Sequence, residues 1–281
     1  MAICSFTFLL LTFCFPETLP ANVLHRRAVR VRKETGDNRY YTKEEAAEKE
    51  VHFKDFIKEI FYRPFALILS EPGVLAFDAY IALAYGCFYL FFEAYPIVFV
   101  GIYNFTLVEL GLAYMGFCVG CAFAYMIFLV YLTQYAVPRF QNNTFKPENF
   151  LVLAMWVCFL LPASLFLFGW TAQVHWILPI VWELPFVMAV FNIFQSSFAF
   201  LSMSYPRYLA SVFAGNAFMR SSFACAFPLF GQAMYDTLAT PRFPVAWGSS
   251  LVAFITLIMA AIPFVMYKYG ELLRGRSKYA N

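Results

Sequence analysis

The sequence predicts an all-α protein that crosses a membrane several times, and its composition is the first reason. Of its 281 residues, 62% are hydrophobic and only 13% are charged. A soluble domain carries about a quarter charged residues, so this chain has too little polar material to cover a globule of its size. The second reason is that six apolar runs are each long enough to cross a bilayer, which takes about 20 helical residues.

The runs divide the chain into four predicted regions. Residues 1–15 are the truncated end of a spanning helix, 16–63 a charged loop, 64–270 a six-span bundle and 271–281 a tail. Together they predict an all-α polytopic membrane protein. The six spans are expected at residues 73–101, 107–136, 150–170, 174–203, 207–235 and 245–267.

The first apolar run, Ala2–Phe15, invites interpretation as a signal peptide. However, no Lys or Arg precedes it, and "FPETLP" stands where a cleavage site with small residues would follow. We therefore expect the end of a spanning helix whose beginning is missing, lying loosely at the membrane.

The positions of Lys and Arg predict the orientation, because cytoplasmic links carry an excess of them. If residues 16–63 are cytoplasmic, so are the link 137–149, the link around Arg207 and the tail. These places hold 18 of the 20 basic residues. The opposite side keeps Arg242, and Arg220 lies within a span.

Residues 26–63 mix eleven basic with eight acidic residues. Within them, "KEEAAEKEVHFKDFIKEIF" (43–61) has apolar residues at helical spacing, which predicts an amphipathic helix at the cytoplasmic surface. For the first half of the segment, a solvated charged linker is an equally good interpretation.

One face of the first complete span carries polar and phenolic side chains. At 100° per residue, Asp78, Tyr85, Tyr89, Glu93 and Pro96 fall within about 80° of one another. An ionised carboxylate in hydrocarbon costs about 2.5–3.5 kcal/mol, so Glu93 must face a cavity or a partner, or carry a proton. Pro96 should break or bend the helix beyond it. Asp78, near the predicted cytoplasmic end, is interpreted as a helix-end charge.

Two further charges lie inside spans. Arg220 has Asn216 one turn away on the same face, and Glu183 lies in the outer half of its span. The functional interpretation is a central cavity where a carboxylate takes up a proton and aromatic rings hold a planar or cationic substrate. The structural alternative is a fixed ion pair of Arg220 with Glu183 or Glu93. The candidate substrate and proton site comprises Glu93, Arg220, Glu183, Asn216, Tyr85 and Tyr89.

Cysteines and glycines suggest packing. Cys118 and Cys121 are two residues apart, but no second pair or His cluster completes a metal site, so neither a metal nor another cofactor is expected. All seven cysteines lie in apolar runs and are interpreted as packing residues. Gly116 and Gly120 have the spacing of a close-packing seam between helices.

Several segments resemble fungal twelve-span drug:proton antiporters of the major facilitator superfamily. "PETLPANVLHRRAVRVRKETGDNRYYTKEE" (16–45) is similar to their central cytoplasmic loop, and "YPRYLASVFAGNAFMRSSFACAFPLF" (205–230) to their eleventh span. "EPGVLAFDAYIALAYGCFYLFFEAYPIVF" (71–99) resembles the seventh span, and "IPFVMYKYGELLRGRSKYA" (262–280) the end of the twelfth. The nearest group is the one tied to resistance to benomyl-type fungicides, azoles and polyamines.

The resemblance implies the end of span six, the central loop and the six-helix C-terminal bundle of the major facilitator fold. It implies proton-coupled export of fungicides, azoles, polyamines or secondary metabolites at a fungal plasma membrane. Expected partners are a drug-like or cationic small molecule, protons, the lipid bilayer and a missing N-terminal six-span half, with no nucleic acid. The chain alone is expected not to transport, because one wall of the cavity is missing.

The tenth span departs from the family pattern. Where a Gly-rich stretch is usual, the chain reads "IVWELPFVMAV", with Trp182, Glu183 and Pro185. A membrane enzyme would need a nucleophile with its base, an H-E-x-x-H or paired aspartates, and none is present, so no enzyme is expected. The remaining alternative is a non-transporting membrane helical bundle or a receptor-like protein.

Overall fold

The chain forms two compact units, Met1–Phe61 and Tyr62–Asn281. Almost all of the described residues are helical, and their only strand-like feature is one isolated bridge between Thr240 and Phe243. The predicted all-α polytopic membrane protein is confirmed. The structure, a computed structural model, describes residues 2–14, 16–17, 20–37, 39–42, 45 and 53–279.

The first unit contains two described helices, α1 (Ala2–Cys14) and α2 (Pro20–Thr35). In α2 this part of the loop is helical and mostly exposed, so the alternative of a solvated charged segment stays open. The helix α2 ends where Gly36 adopts a φ of 70°, a left-handed conformation that suits Gly because Gly has no Cβ. Arg32 pairs with Glu45 at 2.7 Å, and this hydrogen bond lowers the pKa of Glu45. Of the amphipathic helix predicted over 43–61, residues 53–61 are helical, whereas most of 43–52 lies outside the described residues.

From Phe53 onward the described chain is a series of helices joined by short turns. The α-helices are α3 (Phe53–Ser70), α4 (Pro72–Phe99), α5 (Leu107–Ala113), α6 (Met115–Tyr131), α7 (Val137–Gln141), α8 (Leu151–Val157), α9 (Leu160–Thr171), α10 (Ile177–Ser204), α11 (Leu209–Leu238), α12 (Ala246–Met259) and α13 (Ala261–Arg276). A π-helical turn, Leu132–Ala136, joins α6 to α7. The 3-10 turns Pro147–Phe150 and Pro206–Tyr208 precede α8 and α11, respectively.

Length and composition identify membrane-spanning candidates among the described residues. The span predicted at residues 207–235 corresponds to α11, whose 30 residues would reach about 45 Å. This helix contains Asn216, Arg220, Gln232 and Asp236 and is not among the helices apolar enough to be identified, so its crossing of the membrane stays a prediction. The five helices that are long and apolar enough are 72–99, 107–141, 147–171, 177–204 and 246–276.

The helix α4 lies at the centre of the second unit. It packs along α11 and also against α10, α12 and α13. In the most apolar 18-residue stretch of α4, 67% is buried, whereas in the corresponding stretch of residues 107–141 only 11% is buried. Glycines allow the close approach of α4 and α11, because a Cβ at Gly86 would lie 2.8 Å from the Phe227 ring and one at Gly231 would lie 2.7 Å from Leu90.

Pro96 lies in the last turn of α4 without interrupting it. The helix is continuous to Phe99, so the predicted break beyond Glu93 is absent. Because Pro has no N–H, the carbonyl four residues earlier loses its helical partner. That carbonyl belongs to Phe92, and the Tyr114 hydroxyl donates a hydrogen bond to it at 3.3 Å. The side chain of Tyr114 thus replaces the missing backbone donor.

The helix α6 packs against α10 through the predicted glycine seam. A Cβ at Gly120 would lie 3.0 Å from the Val187 side chain, and one at Gly116 would contact the Glu183 carboxylate. The close-packing prediction for this pair of glycines is confirmed.

The cysteines divide into two groups. Cys87 and Cys158 are buried and match their prediction as packing residues. That prediction is wrong for the five others, which are exposed; one of them, Cys121, lines the cavity described below. The exposed cysteines are Cys4, Cys14, Cys118, Cys121 and Cys225.

One end of the second unit, which we call the polar end, is held together by buried charged and polar groups. Glu148, just before α8, pairs with Arg274 in the last turn of α13. Glu71, just before α4, accepts hydrogen bonds from the Tyr205 hydroxyl at 3.3 Å and the Ser277 hydroxyl at 2.7 Å. The polar end is the end that the orientation prediction places in the cytoplasm.

An exposed ion pair adds to this end. Lys146 contacts Glu271 at 2.8 Å, and the hydrogen bond raises the pKa of Lys146. The residues from 271 onward, predicted as a tail, are therefore tied to the bundle.

Candidate functional site

An open cavity of about 320 Å³ lies among α4, α6 and α10, at mid-length of the helices. This volume falls within the range of small-molecule sites, about 300–1,000 Å³. The lining is mainly aromatic and aliphatic, with Tyr85 and Gln195 offering hydrogen-bonding groups. The lining residues are Tyr85, Phe88, Cys121, Val187, Val190, Phe191, Phe194, Gln195 and Phe198.

The guanidinium of Arg220, on α11, lies against the aromatic rings at the edge of this cavity. Its Cζ is 5.0 Å from the ring centroid of Tyr85, 5.7 Å from that of Phe194 and 5.9 Å from that of Phe198. These distances permit cation–π attraction, which acts within about 6 Å of a ring centroid. No ion pair of Arg220 occurs among the described residues, so the structural alternative of a fixed pair with Glu183 or Glu93 is not observed.

Two phenols extend the cavity wall along α4. The hydroxyl oxygens of Tyr85 and Tyr89 are 3.4 Å apart, and their rings meet edge to face with centroids 5.1 Å apart. The structure therefore brings three sequence-predicted site residues, Tyr85, Tyr89 and Arg220, into one cluster.

Glu183 is fully buried on α10, one turn from the cavity-lining Val187. The Tyr95 hydroxyl donates a hydrogen bond to its Oε2, while Oε1 has no partner in the described part of the chain. Gly116, at the start of α6, leaves room for the carboxylate. The N-terminal end of a helix favours negative charge, which suits this position. Glu183 is thus adjacent to the cavity wall without lining it.

Asp78 is fully buried on α4, so its interpretation as a helix-end charge is wrong. Asn216 on α11 donates a hydrogen bond from Nδ2 to Asp78 Oδ1 at 2.8 Å. Asn216 was grouped with Arg220 from helical spacing, and both reach α4, but Asn216 contacts Asp78 whereas Arg220 lies against Tyr85. The helices α4 and α11 come close enough here for the two polar side chains to meet in the core.

Glu93 stands apart from the other candidates. It is half-buried, and a Cβ at Gly231 on α11 would lie 3.7 Å from its Cγ. Within the described ranges, no hydrogen bond or ion pair reaches its carboxylate. Its role in proton binding stays a prediction.

Sequence reasoning missed most of the cavity wall on α10. Apolar residues recur there at intervals of three and four, the period of one face of a helix, and this signal was present in the sequence. The recurring residues are Val187, Val190, Phe191, Phe194 and Phe198. Tyr95 was also missed, and Asp78 was assigned to a helix end, because their partners are remote in the chain.

Comparison with known proteins finds similarity to fungal transporters along nearly the whole chain. Fluconazole resistance protein 1 of Saccharomyces cerevisiae is 64% identical over 273 residues, which are 97% of this chain and 50% of that protein. The cycloheximide resistance protein of Candida maltosa is 41% identical, with 97% of this chain and 50% of that protein covered. The probable drug/proton antiporter YHK8 of Saccharomyces cerevisiae is 36% identical, with 96% and 52% covered.

The chain spans about half the length of the curated relatives it matches. No family model and no solved structure matches it.

Proposed function

Because the chain is homologous to fungal multidrug transporters and is consistent with their C-terminal half, we propose that it forms one half of a proton-coupled exporter of drugs or toxic small molecules. The observation that carries this proposal is the 64% identity to fluconazole resistance protein 1 across 97% of the chain. We propose a fungal plasma membrane as its location and no enzymatic activity.

The cavity supplies one wall of the proposed substrate site. Its rings can stack on a planar molecule, while Tyr85 and Gln195 offer hydrogen bonds and Arg220 places a cation at the edge. None of the described lining residues is acidic. This wall therefore suits an uncharged or anionic planar drug, such as an azole, better than a cationic polyamine.

Carboxyl groups within the spans are the proposed proton carriers. Glu183 lies one helical turn from the cavity-lining Val187. A change in the charge of Glu183 would therefore affect a bound substrate through Val187 and the helix between them. Glu93 is the second candidate, since no described partner holds its charge. An ionised carboxylate in a membrane is costly without such a partner, by at least about 2.5 kcal/mol.

The proposal is tested by rebuilding a transporter from two chains. This chain is expressed in Saccharomyces cerevisiae lacking fluconazole resistance protein 1, together with the part of that protein that the chain does not match. The pair should restore growth on fluconazole. Growth no better than with the unmatched part alone, when both chains are detected in the membrane, would contradict the proposal.

A pair of variants ties the result to the cavity. Phe194→Ala removes a ring from the wall and should lower the tolerated fluconazole concentration about tenfold, the effect of losing about 1.4 kcal/mol of binding. Trp156→Ala removes a ring that is 79% exposed on the outside of the bundle and should leave resistance unchanged. Equal losses from both variants would indicate a general effect on folding and not a substrate wall.

The chain expressed alone is predicted not to transport. In this superfamily, transport rocks two halves around a site between them, and one half supplies a single wall. Purified chain in vesicles with a proton gradient should show no gradient-dependent drug uptake. Uptake under these conditions would point to a transporter made from two copies of this chain.

A further inference from the structure

The carboxyl group of Asp78 is enclosed between α4 and α11 with a single hydrogen bond. Its side chain is fully buried, Asn216 donates to Oδ1, and Oδ2 has no partner among the residues that the structure describes. An ionised carboxylate has about four acceptor sites, and a protonated one has a donor to place. Neither form is fully satisfied here, so the surroundings do not lock the group in one protonation state.

The contacts described at Asp78 and next to it on α4 are with neutral groups. Asn216 is its contact on α11. From α10, Phe200 packs on the adjacent Phe77 with ring centroids 5.0 Å apart. Toward the start of α4, Met266 of α13 reaches Gly73.

The nearest charged groups along the two helices are occupied by other contacts. Glu71, seven residues earlier, accepts hydrogen bonds from Tyr205 and Ser277. Arg220, one turn beyond Asn216, lies against the rings of the cavity edge. In the described chain, no ion pair reaches Asp78, so no fixed opposite charge holds it ionised.

Close helix packing surrounds this carboxyl. Gly215 of α11, the neighbour of Asn216, lies so close to Ile68 of α3 that an added Cβ would come within 2.7 Å of it. Gly86 is packed in the same way by Phe227. With the seam between α4 and α11 closed, proton exchange requires these two helices to separate, which couples the charge of Asp78 to helix movement.

We propose that Asp78 binds and releases a proton at the α4–α11 seam, at a site separate from the aromatic cavity. In the release step, the Oδ2–H bond breaks and water takes the proton, which leaves a carboxylate held by Asn216 Nδ2. Tyr85, the cavity residue on α4, is seven residues further on, about 10 Å away along the helix. The site deepens the proposed function, since its part in export rests on that function.

Protonation of Asp78 can be measured without transport or drug. The 281-residue chain is placed in lipid nanodiscs, and infrared difference spectra are recorded as pH is varied. A protonated-carboxyl C=O band that titrates should be lost in Asp78→Asn, which keeps the hydrogen bond from Asn216. Asp236→Asn, an exposed carboxyl on α11, is the matched control and should keep the band.

A second variant protects the test against misfolding of the first. Asn216→Ala removes the donor that stabilises the ionised form, so the pH midpoint of the same band should rise. A band unchanged in both Asp78→Asn and Asn216→Ala would overturn the proposal, whatever the chain transports.

The coexpressed pair then tests the link to export. Asp78→Asn should abolish pH-driven efflux of fluconazole from cells while binding of the drug to isolated membranes persists, and Asp236→Asn should retain both. If the unmodified pair exports and Asp78→Asn exports with the same pH dependence, the inference fails. If the unmodified pair does not export, the proposed function fails, and the infrared result still decides whether Asp78 titrates.

Discussion

The polar end of the second unit and its interior hold their charges in different ways. At the polar end, Glu148 is paired with the opposite charge of Arg274. In the interior, Asp78 has an amide, Glu183 has a phenol and Arg220 has aromatic rings. An opposite charge favours the ionised form of its partner, whereas a neutral partner leaves that form less strongly favoured. The ion pair of Glu148 thus braces the polar end, whereas the interior carboxyls lack an opposite charge, as expected if they change charge as proposed.

The largest effect is expected from breaking the buried ion pair. Arg274→Met leaves Glu148, whose side chain is 8% exposed, without its cation. Removing one partner of a buried pair costs about 3–5 kcal/mol, and the low end applies because Arg274 is 21% exposed. The measurement is thermal unfolding of the purified chain in detergent.

The exposed pair at the same end provides the control. Lys146→Met removes a cation whose side chain is 61% exposed. Its effect should fall within the error of the unfolding measurement, since solvent screens such pairs. If the two variants lost the same amount of stability, the buried ion pair would contribute no more to folding than the exposed pair.

A smaller effect is expected from crowding an interior carboxylate. Gly116→Ala places a Cβ against Glu183, and overpacking of this kind costs about 1–3 kcal/mol. Gly111→Ala, in α5, meets no atom within 4 Å and should cost nothing. The two variants are compared in the same unfolding assay. A neutral Gly116→Ala would mean that the α6–α10 seam yields more readily than the structure indicates.

The smallest effect is expected from removing the charge of Arg220, the cation in the interior. Arg220→Gln loses the attraction to three rings, worth about 1 kcal/mol for a half-buried site. Arg242→Gln, at the exposed end beyond α11, loses a single ring at 5.4 Å and should lose less stability. A rise in the melting temperature of Arg220→Gln would show instead that its charge is poorly compensated in the interior.

The helices could be predicted from the sequence because hydropathy and helical period are local properties. The runs later found as α4 and α10, and the seam of Gly116 and Gly120, were predicted on this basis. The partners of the interior charges could not be, since Asn216 is 138 residues from Asp78 and Tyr95 is 88 residues from Glu183. Helical spacing identifies the face on which a residue lies, but not the helix that packs against that face.

Pro96 shows the same limit on a smaller scale. A proline beyond an acid predicts an interruption, yet one hydroxyl from a neighbouring helix satisfies the carbonyl that the proline leaves free. The sequence contains both Pro96 and Tyr114, but only their packing shows that they compensate each other.

The sparse burial of residues 107–141 has a consequence for the lipid around the protein. This stretch has 35 residues, about 50 Å of helix, while the hydrocarbon layer is about 30 Å thick. A helical stretch of this length that the bundle covers so little must tilt or bend to match the bilayer. It departs from a regular α-helix at Tyr114 and at Leu132–Ala136. Since Gly116 on this stretch contacts Glu183, a thicker, sterol-rich membrane would alter its tilt and thereby the environment of a buried acid.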